Sequence, residues 1–516
     1  MKTVKTMNGR NVTNSMTRSI RTLGAAILCA AVLAACSSND NIIEEQPATA
    51  SSEPKTYTMT VQATKTAGDA AQTRGLSLDG KTLNVTWFEG EEVEVTQESK
   101  AAPINPTSIG TLKAKASSTG TTTLTGTLTG LEEGKVLRFW LHNRVFNYEG
   151  QTGVLLKSQG ENSIEEKYDF AMMNYVVEDY TVSGSTVSVA SPLFFESMQA
   201  IVKFTLMDES GNVLNAKSLK IECKNYLFEQ MDFLNPTTNT HSSKALTITP
   251  ATPTNVIYAA ISHSTTKADD YTLTATTADG EEYIYTKTDV TFTAGKYYEV
   301  KVKMRQYVDL GLSVKWATKN VGATSETECG LYFAWGETTG YTADSGHSFD
   351  LDNYAWYNAT DKYKYTKYKH DDSSWDYTEL QSADDAATQN WGGAWRMPTY
   401  AEWDELKENC TAEWKENYKE SGISGMLFTS KKEGYTDKSI FLPATGHING
   451  TTRTVTYSIW LCYWSSTLDS EAIKYVGYAY ILNVIYDKEN DTIIWGAKGD
   501  NAYRHFGRAV RAVASK

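Results

Sequence analysis

The segment between residues 354 and 375 combines many aromatic rings with many lysines, and it is the best candidate for ligand binding. The flat faces of tryptophan and tyrosine suit sugar rings, and lysine ammonium groups would suit acidic glycans. The alternative is an exposed loop in which the lysines offset Asp371 and Asp372. The predicted ligand-binding residues are Trp356, Tyr357, Tyr363, Tyr365, Tyr368 and Trp375, interleaved with Lys362, Lys364, Lys367 and Lys369.

Catalytic motifs do not stand out in this sequence. It has neither the H-E-x-x-H motif of zinc peptidases nor the G-x-S-x-G motif of serine hydrolases. Asp384 and Asp385 fall in the first turn of a predicted helix, where they stabilise the helix dipole more readily than they bind a metal. We predict no enzyme activity, no metal site and no cofactor. The isolated histidines are His347, His370, His447 and His505.

Residues 75–82 match the P-loop pattern G-x-x-x-x-G-K-[ST]. A P-loop works only between a buried strand and a helix, because the first amides of the helix hold the phosphates. Residues 68–74 do not form a buried strand pattern, and residues 83–95 indicate strand and turn. The pattern therefore does not predict nucleotide binding.

Composition divides the 516-residue chain into dissimilar parts. Eleven of the 13 tryptophans follow residue 306, while the preceding part is rich in threonine. The net charge is -13, and without residues 1–35 the chain has 44 basic against 62 acidic residues, a net charge of -18. Such an acidic chain is not expected to bind nucleic acid, since that requires neutralising phosphates.

The N-terminus has the features of a secretory signal. Basic residues up to Arg21 precede an apolar run over residues 23–35. The run ends Leu-Ala-Ala-Cys at residues 33–36, which resembles the lipobox of bacterial lipoproteins. This resemblance implies acylation of Cys36 and anchoring in the outer membrane; the alternative is an ordinary signal with a chance cysteine. We predict a signal peptide over residues 1–35 and a polar tether over residues 36–56, with Met16 as an alternative start.

Alternation of apolar and polar residues dominates residues 57–304 and predicts short antiparallel strands. Val93 and Val95 alternate with glutamates, and Val202, Phe204 and Leu206 share one face of another strand. The length of this region, roughly 250 residues, fits two β-sandwiches.

Parts of this region resemble the Bacteroidales fimbrillin family. The matching segments are Thr-Arg-Gly-Leu-Ser-Leu-Asp-Gly at residues 73–80, Trp87, Gly90, Glu91, Gln-Ala-Ile-Val-Lys-Phe at 199–204 and Phe-Thr-Ala-Gly-Lys-Tyr-Tyr at 292–298. The resemblance implies two transthyretin-like sandwiches, at residues 57–185 and 186–305. It also implies that a protease cuts after Arg74, so that a strand of another fimbrial subunit replaces the lost one. The alternative is that Arg74 is an exposed loop residue.

Residues 306–516 resemble the Fibrobacter major paralogous domain. The matching segments include residues 307–318, 332–337, 391–399, 441–444 and 463–466. Residues 396–403 also resemble formylglycine-generating proteins, which implies an α+β, C-type-lectin-like fold. A capping box from Thr399 to Glu402 predicts a helix that buries Trp403 and Leu406. The calcium-binding motifs of C-type lectins do not occur here.

The cysteines allow disulfide bonds in an oxidising compartment. With Cys36 acylated, Cys223, Cys329, Cys410 and Cys462 allow three complete pairings. Cys410 with Cys462 is favoured slightly, because both lie in the same predicted domain.

Together these features predict a cell-surface lipoprotein adhesin, the tip subunit of a fimbrium. Its expected partners are other fimbrial subunits through strand donation, a host or bacterial surface glycan or protein, and the outer membrane through the lipid anchor. The chain ends in a strand pattern at residues 508–513 that looks like part of the last domain rather than a strand for donation. The alternative is a non-polymerising surface lipoprotein with a structural or binding role.

Overall fold

Strands account for most of the regular structure, which confirms the predicted mainly β fold class. The computed structural model describes residues 53–516, apart from 67–73, 80–81, 101, 118, 142–144, 174, 226–227, 233–239, 263–267, 361–364, 372–373, 455–458, 471–476 and 497–500. Cys36, the predicted signal peptide and most of the predicted tether lie outside the described residues. Within the described residues, no helix has the length and apolar character needed to cross a membrane.

The first β region is built around a sheet that closes on itself. The strands in this part of the chain are β1 (Thr56–Thr66), β2 (Arg74–Asp79), β3 (Thr82–Val85), β4 (Glu92–Ser99), β5 (Ala102–Ala114), β6 (Thr121–Thr129), β7 (Lys135–Leu141), β8 (Val145–Phe146), β9 (Ala171–Met172), β10 (Tyr180–Ser183), β11 (Thr186–Val189) and β12 (Leu193–Ser197). All of them except β2, β3 and β8 belong to the closed sheet. The strand order is β10-β11-β1-β12-β9-β7-β4-β5-β6, and β1 also pairs with β6. As the alternation predicts, Val93 and Val95 face the core that this sheet surrounds.

The second sandwich places two sheets over one apolar core. This part of the chain contains β13 (Gln199–Met207), β14 (Ser218–Cys223), β15 (Phe228–Asp232), β16 (Thr240–Ser243), β17 (Ala245–Ile248), β18 (Val256–Ser262), β19 (Asp269–Thr276), β20 (Glu282–Val290) and β21 (Tyr297–Lys303). One sheet has the order β18-β13-β21, and the other begins β17-β14-β19-β20. Val202, Phe204 and Leu206 of β13 lie in the core between them, as the sequence predicts.

Hydrogen bonding does not follow the predicted division at residues 185 and 186. β11 and β12 follow that division in the chain, yet both pair with β1 of the first β region. Conversely, Gln151 precedes it, and its side chain exchanges two hydrogen bonds with the backbone of Ala260 in β18 (2.9 and 2.8 Å). Tyr168 and Phe170 also pack in the core of the second sandwich. The two β regions therefore share chain segments.

The described residues of the C-terminal region form several sheets and two α-helices. Its elements are β22 (Arg305–Asp309), β23 (Val314–Asn320), β24 (Tyr332–Phe333), β25 (His370–Asp371), β26 (Ser374–Trp375), α1 (Ala386–Trp391), β27 (Trp395–Arg396), α2 (Tyr400–Asn409), β28 (Cys410–Lys415), β29 (Gly425–Ser430), β30 (Ser439–Pro443), β31 (His447–Asn449), β32 (Thr452–Thr454), β33 (Trp460–Leu468), β34 (Tyr478–Asp487), β35 (Thr492–Trp495), β36 (Asn501–Tyr503), β37 (Arg508–Ala509) and β38 (Arg511–Ser515). The predicted capping box of Thr399 and Glu402 is present, and Trp403 and Leu406 are buried. The C-type-lectin-like fold stays a prediction.

One sheet continues from the second sandwich into the C-terminal region. Its order is β17-β14-β19-β20-β22-β23-β38-β27, and β20 pairs directly with β22. At this junction the Thr286 hydroxyl accepts a hydrogen bond from Ala394 N (2.7 Å), and Lys319 forms an ion pair with Glu209. Shared backbone hydrogen bonds and side-chain contacts therefore couple the two regions.

Candidate functional site

Strand β1 is hydrogen-bonded along both of its edges. Residues 56–64 pair antiparallel with residues 129–121 of β6. On the other edge, Thr58 and Met59 pair parallel with β11, and residues 63–66 pair parallel with β12. Loss of β1 would thus open the closed sheet and leave unpaired amides and carbonyls on both sides of one groove.

The two faces of β1 differ in polarity. Met59, Val61 and Ala63 point into the core and are almost completely buried. The outward side chains form hydrogen bonds with their neighbours on β6, including Gln62 with Thr123 (2.8 Å) and Thr64 with Thr121 (3.1 Å). The groove left by β1 would therefore accept a strand with apolar inward and hydroxyl-bearing outward side chains.

A lysine occupies the last inward position of β1. The Lys65 ammonium forms an ion pair with Glu91, and their side chains are only 2% and 9% exposed. The same ammonium lies 3.7 Å from the centroid of the buried Trp87 ring. The Trp87 indole is held in place because its Nε1 donates to Gly120 O (2.8 Å). Sequence reasoning missed this group; the signal was a lysine in phase with Met59, Val61 and Ala63.

The predicted processing residue Arg74 is the first residue of β2. β2 pairs antiparallel with β3, so the described residues of the segment that matches the P-loop pattern lie on two paired strands rather than on a strand followed by a helix. The residues between β1 and Arg74 lie outside the described part of the chain. A cut after Arg74 would separate the whole of β1 from Trp87 and Glu91.

The predicted ligand-binding residues are not equally accessible. Tyr368 is fully buried; its hydroxyl donates to Asp384 Oδ2 (2.5 Å) and accepts from Gln381 N (2.9 Å). Burial raises the pKa of the Tyr368 hydroxyl, with the Asp384 hydrogen bond adding to the effect. Tyr368 is therefore not accessible to a ligand, and its contacts instead help to hold the segment in place.

Four of the six predicted ligand-binding residues are partly exposed in the described structure. Trp356, Tyr357, Tyr365 and Trp375 are half-buried, whereas Tyr363 lies outside the described residues. Tyr357 and Tyr365 meet edge to face at 6.4 Å, and Trp356 donates to Gly336 O (3.0 Å). These four rings have the exposure that a contact surface needs, and their ligand-binding role stays a prediction.

Lys367, which the sequence offers for acidic ligands, is engaged within the protein. Its ammonium forms an ion pair with Asp384 and lies 5.2 Å from the ring centroids of both Trp356 and Tyr368. Tyr377 lies 5.7 Å away. The lysine thus neutralises a nearly buried carboxylate, while Lys362 and Lys364 lie outside the described residues.

Of the adjacent carboxylates, Asp385 lies at a helix N-terminus, close to where the sequence predicts it, whereas Asp384 instead pairs with Lys367 and Tyr368. Asp385 is the N-cap of α1, where it accepts from Thr388 N (2.9 Å), and it also accepts from Met397 N (2.8 Å). Burial raises the pKa of Asp385, although these hydrogen bonds act in the opposite direction. Among the described residues, no group of three or more histidine, cysteine or acidic side chains could hold a metal ion.

The C-terminal strand is an interior strand of its sheet. β38 lies between β23 and β27, and Val513 and Ala514 are fully buried. The buried Arg511 guanidinium donates to Asn320 Oδ1 (2.8 Å) and to Phe441 O (3.0 Å). It thereby ties β38 to neighbouring elements.

The favoured disulfide between Cys410 and Cys462 is not formed. Cys223, Cys329, Cys410 and Cys462 are all thiols in the described structure. Leu461 and Tyr463 belong to the same core cluster as Cys410. Cys462 lies between them on β33, so it points to the opposite face of that strand.

Comparison with known proteins gives distant structural alignments only. No family model and no curated protein matches the chain. A candidate cell adhesion protein from Bacteroides ovatus aligns at 13% identity over 48% of this chain and 94% of its own, with a TM-score of 0.27. A fimbrial protein from Bacteroides ovatus aligns at 11% identity over 90% of this chain and 100% of its own, with a TM-score of 0.21. A variant of a shaft pilin from Lactobacillus rhamnosus aligns at 12% identity over 48% of this chain and 97% of its own, with a TM-score of 0.22. Alignments with such TM-scores carry no argument about function, so the proposal below depends on the residues of this chain.

Proposed function

We propose that this chain is a cell-surface adhesin of a fimbrium, anchored during export through acylated Cys36 in the outer membrane. The observation that carries the proposal is the position of β1, which is paired on both edges and precedes the predicted processing residue Arg74. Cleavage there makes β1 a separate segment that is held only by noncovalent contacts. A strand of another subunit then replaces it by β-augmentation.

Cleavage alone does not remove β1 in this mechanism. Burial of a side chain such as Met59 or Val61 contributes about 1.5–3 kcal/mol, and the backbone pairing with β6 adds to this. The incoming strand must therefore supply equivalent contacts, which makes assembly an exchange between two strands.

The proposed tip position is supported by the way in which β38 is held in its sheet. A shaft subunit needs a strand that can leave its own domain, whereas β38 is an interior strand tied down by Arg511. We therefore place this subunit at the tip, where the C-terminal region presents Trp356 and its neighbours to a glycan or a protein.

The assembly proposal is tested with protein recovered from the cell surface. We expect the mature chain to begin at Gly75 in fimbriae, and immunogold labelling to mark fimbrial tips. Arg74→Ala should keep the preceding residues and stay out of fimbriae. An unprocessed chain on cells that make fimbriae would contradict the proposal and favour a non-polymerising surface lipoprotein.

Ligand binding is tested separately on a glycan array. The whole chain is the right sample, because the sheet continues from β20 into β22 and isolated residues 306–516 would lose that pairing. Trp356→Ala should abolish binding, and the matched control Trp495→Ala, at a tryptophan that is 39% exposed outside the segment, should not. Equal binding by both variants would exclude the aromatic segment as the contact surface.

A further inference from the structure

We propose that the groove opened by loss of β1 selects strands by charge: the incoming strand must carry a lysine or arginine where Lys65 now lies. This inference deepens the proposed strand exchange and depends on it. Lys65 belongs to the segment that leaves, whereas Trp87 and Glu91 stay with the folded protein. The groove therefore retains a carboxylate and an aromatic face that are shaped around an ammonium group.

The retained half of this cation site is held rigidly. Glu91 N donates to Phe88 O (3.2 Å), and Ala114 N donates to Glu91 O (2.8 Å), which fixes the backbone at the carboxylate. The Trp87 ring is held by its bond to Gly120 O and by edge-to-face contact with Phe195, at a centroid distance of 6.1 Å. The site thus does not collapse easily into a smaller apolar pocket.

The energetic reason for selection is the burial of Glu91. When an incoming strand closes the groove, it removes water from a carboxylate whose side chain is only 9% exposed in the closed state. A strand with methionine at this position would bury the carboxylate without the ammonium that Lys65 supplies. Loss of one partner of a buried ion pair is strongly unfavourable, and the lost contact with the Trp87 face adds to the penalty.

The other side chains of β1 indicate which further residues the incoming strand must carry. Its inward side chains are methionine, valine and alanine at residues 59, 61 and 63, and its outward side chains are mainly threonines that face threonines of β6. The partner is therefore an extended segment with three alternate apolar residues and a cation two positions further on. Apolar strands without that cation are rejected.

The test is a competition between peptides on protein cleaved after Arg74, with cleavage verified by mass spectrometry. The first peptide has the sequence of residues 54–66, and the second differs only by Lys65→Met. We expect the lysine peptide to be favoured on the order of 100-fold. A third peptide with the outward-facing change Thr60→Val is the matched control, and it should compete within about 3-fold of the first, as exposed hydroxyl contacts contribute little.

The same competition on Glu91→Gln protein isolates the role of the carboxylate. The preference for lysine over methionine should fall below about 10-fold, because the amide no longer needs a counterion. If Glu91→Gln does not fold, the comparison on unmodified protein decides alone. Equal binding of the lysine and methionine peptides would overturn charge selection and leave strand exchange standing. Failure of every peptide to enter fully cleaved protein would overturn both.

Discussion

Arg511→Met tests whether β38 is fixed in the sheet, which is the observation that supports the proposed tip position. The Arg511 guanidinium is fully buried, and besides Asn320 and Phe441 it reaches the carbonyls of Ala317 and Thr318 (2.9 Å each). Burial lowers the pKa of Arg511 to about 10, so the group remains charged at neutral pH.

Two effects of this substitution oppose each other. Methionine removes a charge that is costly to bury, which by itself favours the variant. However, all four acceptors stay in the core, and each hydrogen bond from a charged donor contributes about 1.5–3 kcal/mol. Because bonds from one group are not additive, we expect a net loss of about 4 kcal/mol in the free energy of unfolding.

The assay is urea unfolding of the whole soluble chain, followed by tryptophan fluorescence. Eleven of the 13 tryptophans follow residue 306, so the signal reports mainly on the C-terminal region. Hydrogen exchange over residues 511–515 should accelerate in parallel. Asn320→Ala removes one acceptor of Arg511 and also the hydrogen bonds that Asn320 Nδ2 donates to Cys329 O (3.0 Å) and to the Tyr463 hydroxyl (3.2 Å). It should cost about 2–3 kcal/mol.

Arg511→Lys separates charge from geometry, because lysine keeps the charge but lacks the planar fork of donors. We expect a loss between those of the other two variants. A change below about 1 kcal/mol for Arg511→Met would refute the reasoning, since the hydrogen bonds would then not fix β38 in the sheet.

Three further perturbations test other parts of the structure. Asp385→Ala should lower stability by about 2–4 kcal/mol in urea unfolding, because it removes an N-cap and a buried acceptor of Met397 N; Asp385→Asn should lose less. Burial lowers the pKa of His505 from 6.5 to about 4, and the positive charge of Arg508 adds to this. The unfolded chain therefore takes up a proton first, so stability should fall as pH drops from about 6.5 towards about 4, and His505→Gln should weaken that dependence. Gly393→Ala should destabilise the junction, since its Cβ would lie 1.8 Å from Thr286 Oγ1 at a φ of +62°; Gly392→Ala, at a φ of +70° but with open space around it, separates backbone strain from this clash in thermal unfolding.

Local signals predicted local structure well. The alternation at Val93 and Val95 and the capping box at Thr399 involve residues close in sequence, so one strand or one helical turn determines each pattern. Pairing across the junction of β20 and β22 has no such local signal. It joins strands on both sides of a composition change that suggested separate domains.

The candidate site shows the same limit. From residue type alone, Lys65 is expected to be a solvated surface residue. Its burial depends on Trp87 and Glu91, which lie more than 20 positions further along the chain. Similarly, a dense run of aromatics predicts a contact surface, yet Tyr368 turns inward because the Asp384 carboxylate bonds its hydroxyl. Which side of a segment faces solvent depends on long-range packing that residue types alone do not specify.

The continuous sheet has a mechanical consequence for the proposed role in adhesion. A flexible linker between the second sandwich and the C-terminal region would let that region change its orientation freely. Such a linker would also extend before it transmitted force. Here the chain passes from β21 to β22 through Met304 alone, and backbone hydrogen bonds join β20 to β22 beside that crossing. Tension on the C-terminal region is therefore shared between the covalent chain and the sheet, and the orientation of the C-terminal region follows that of the second sandwich.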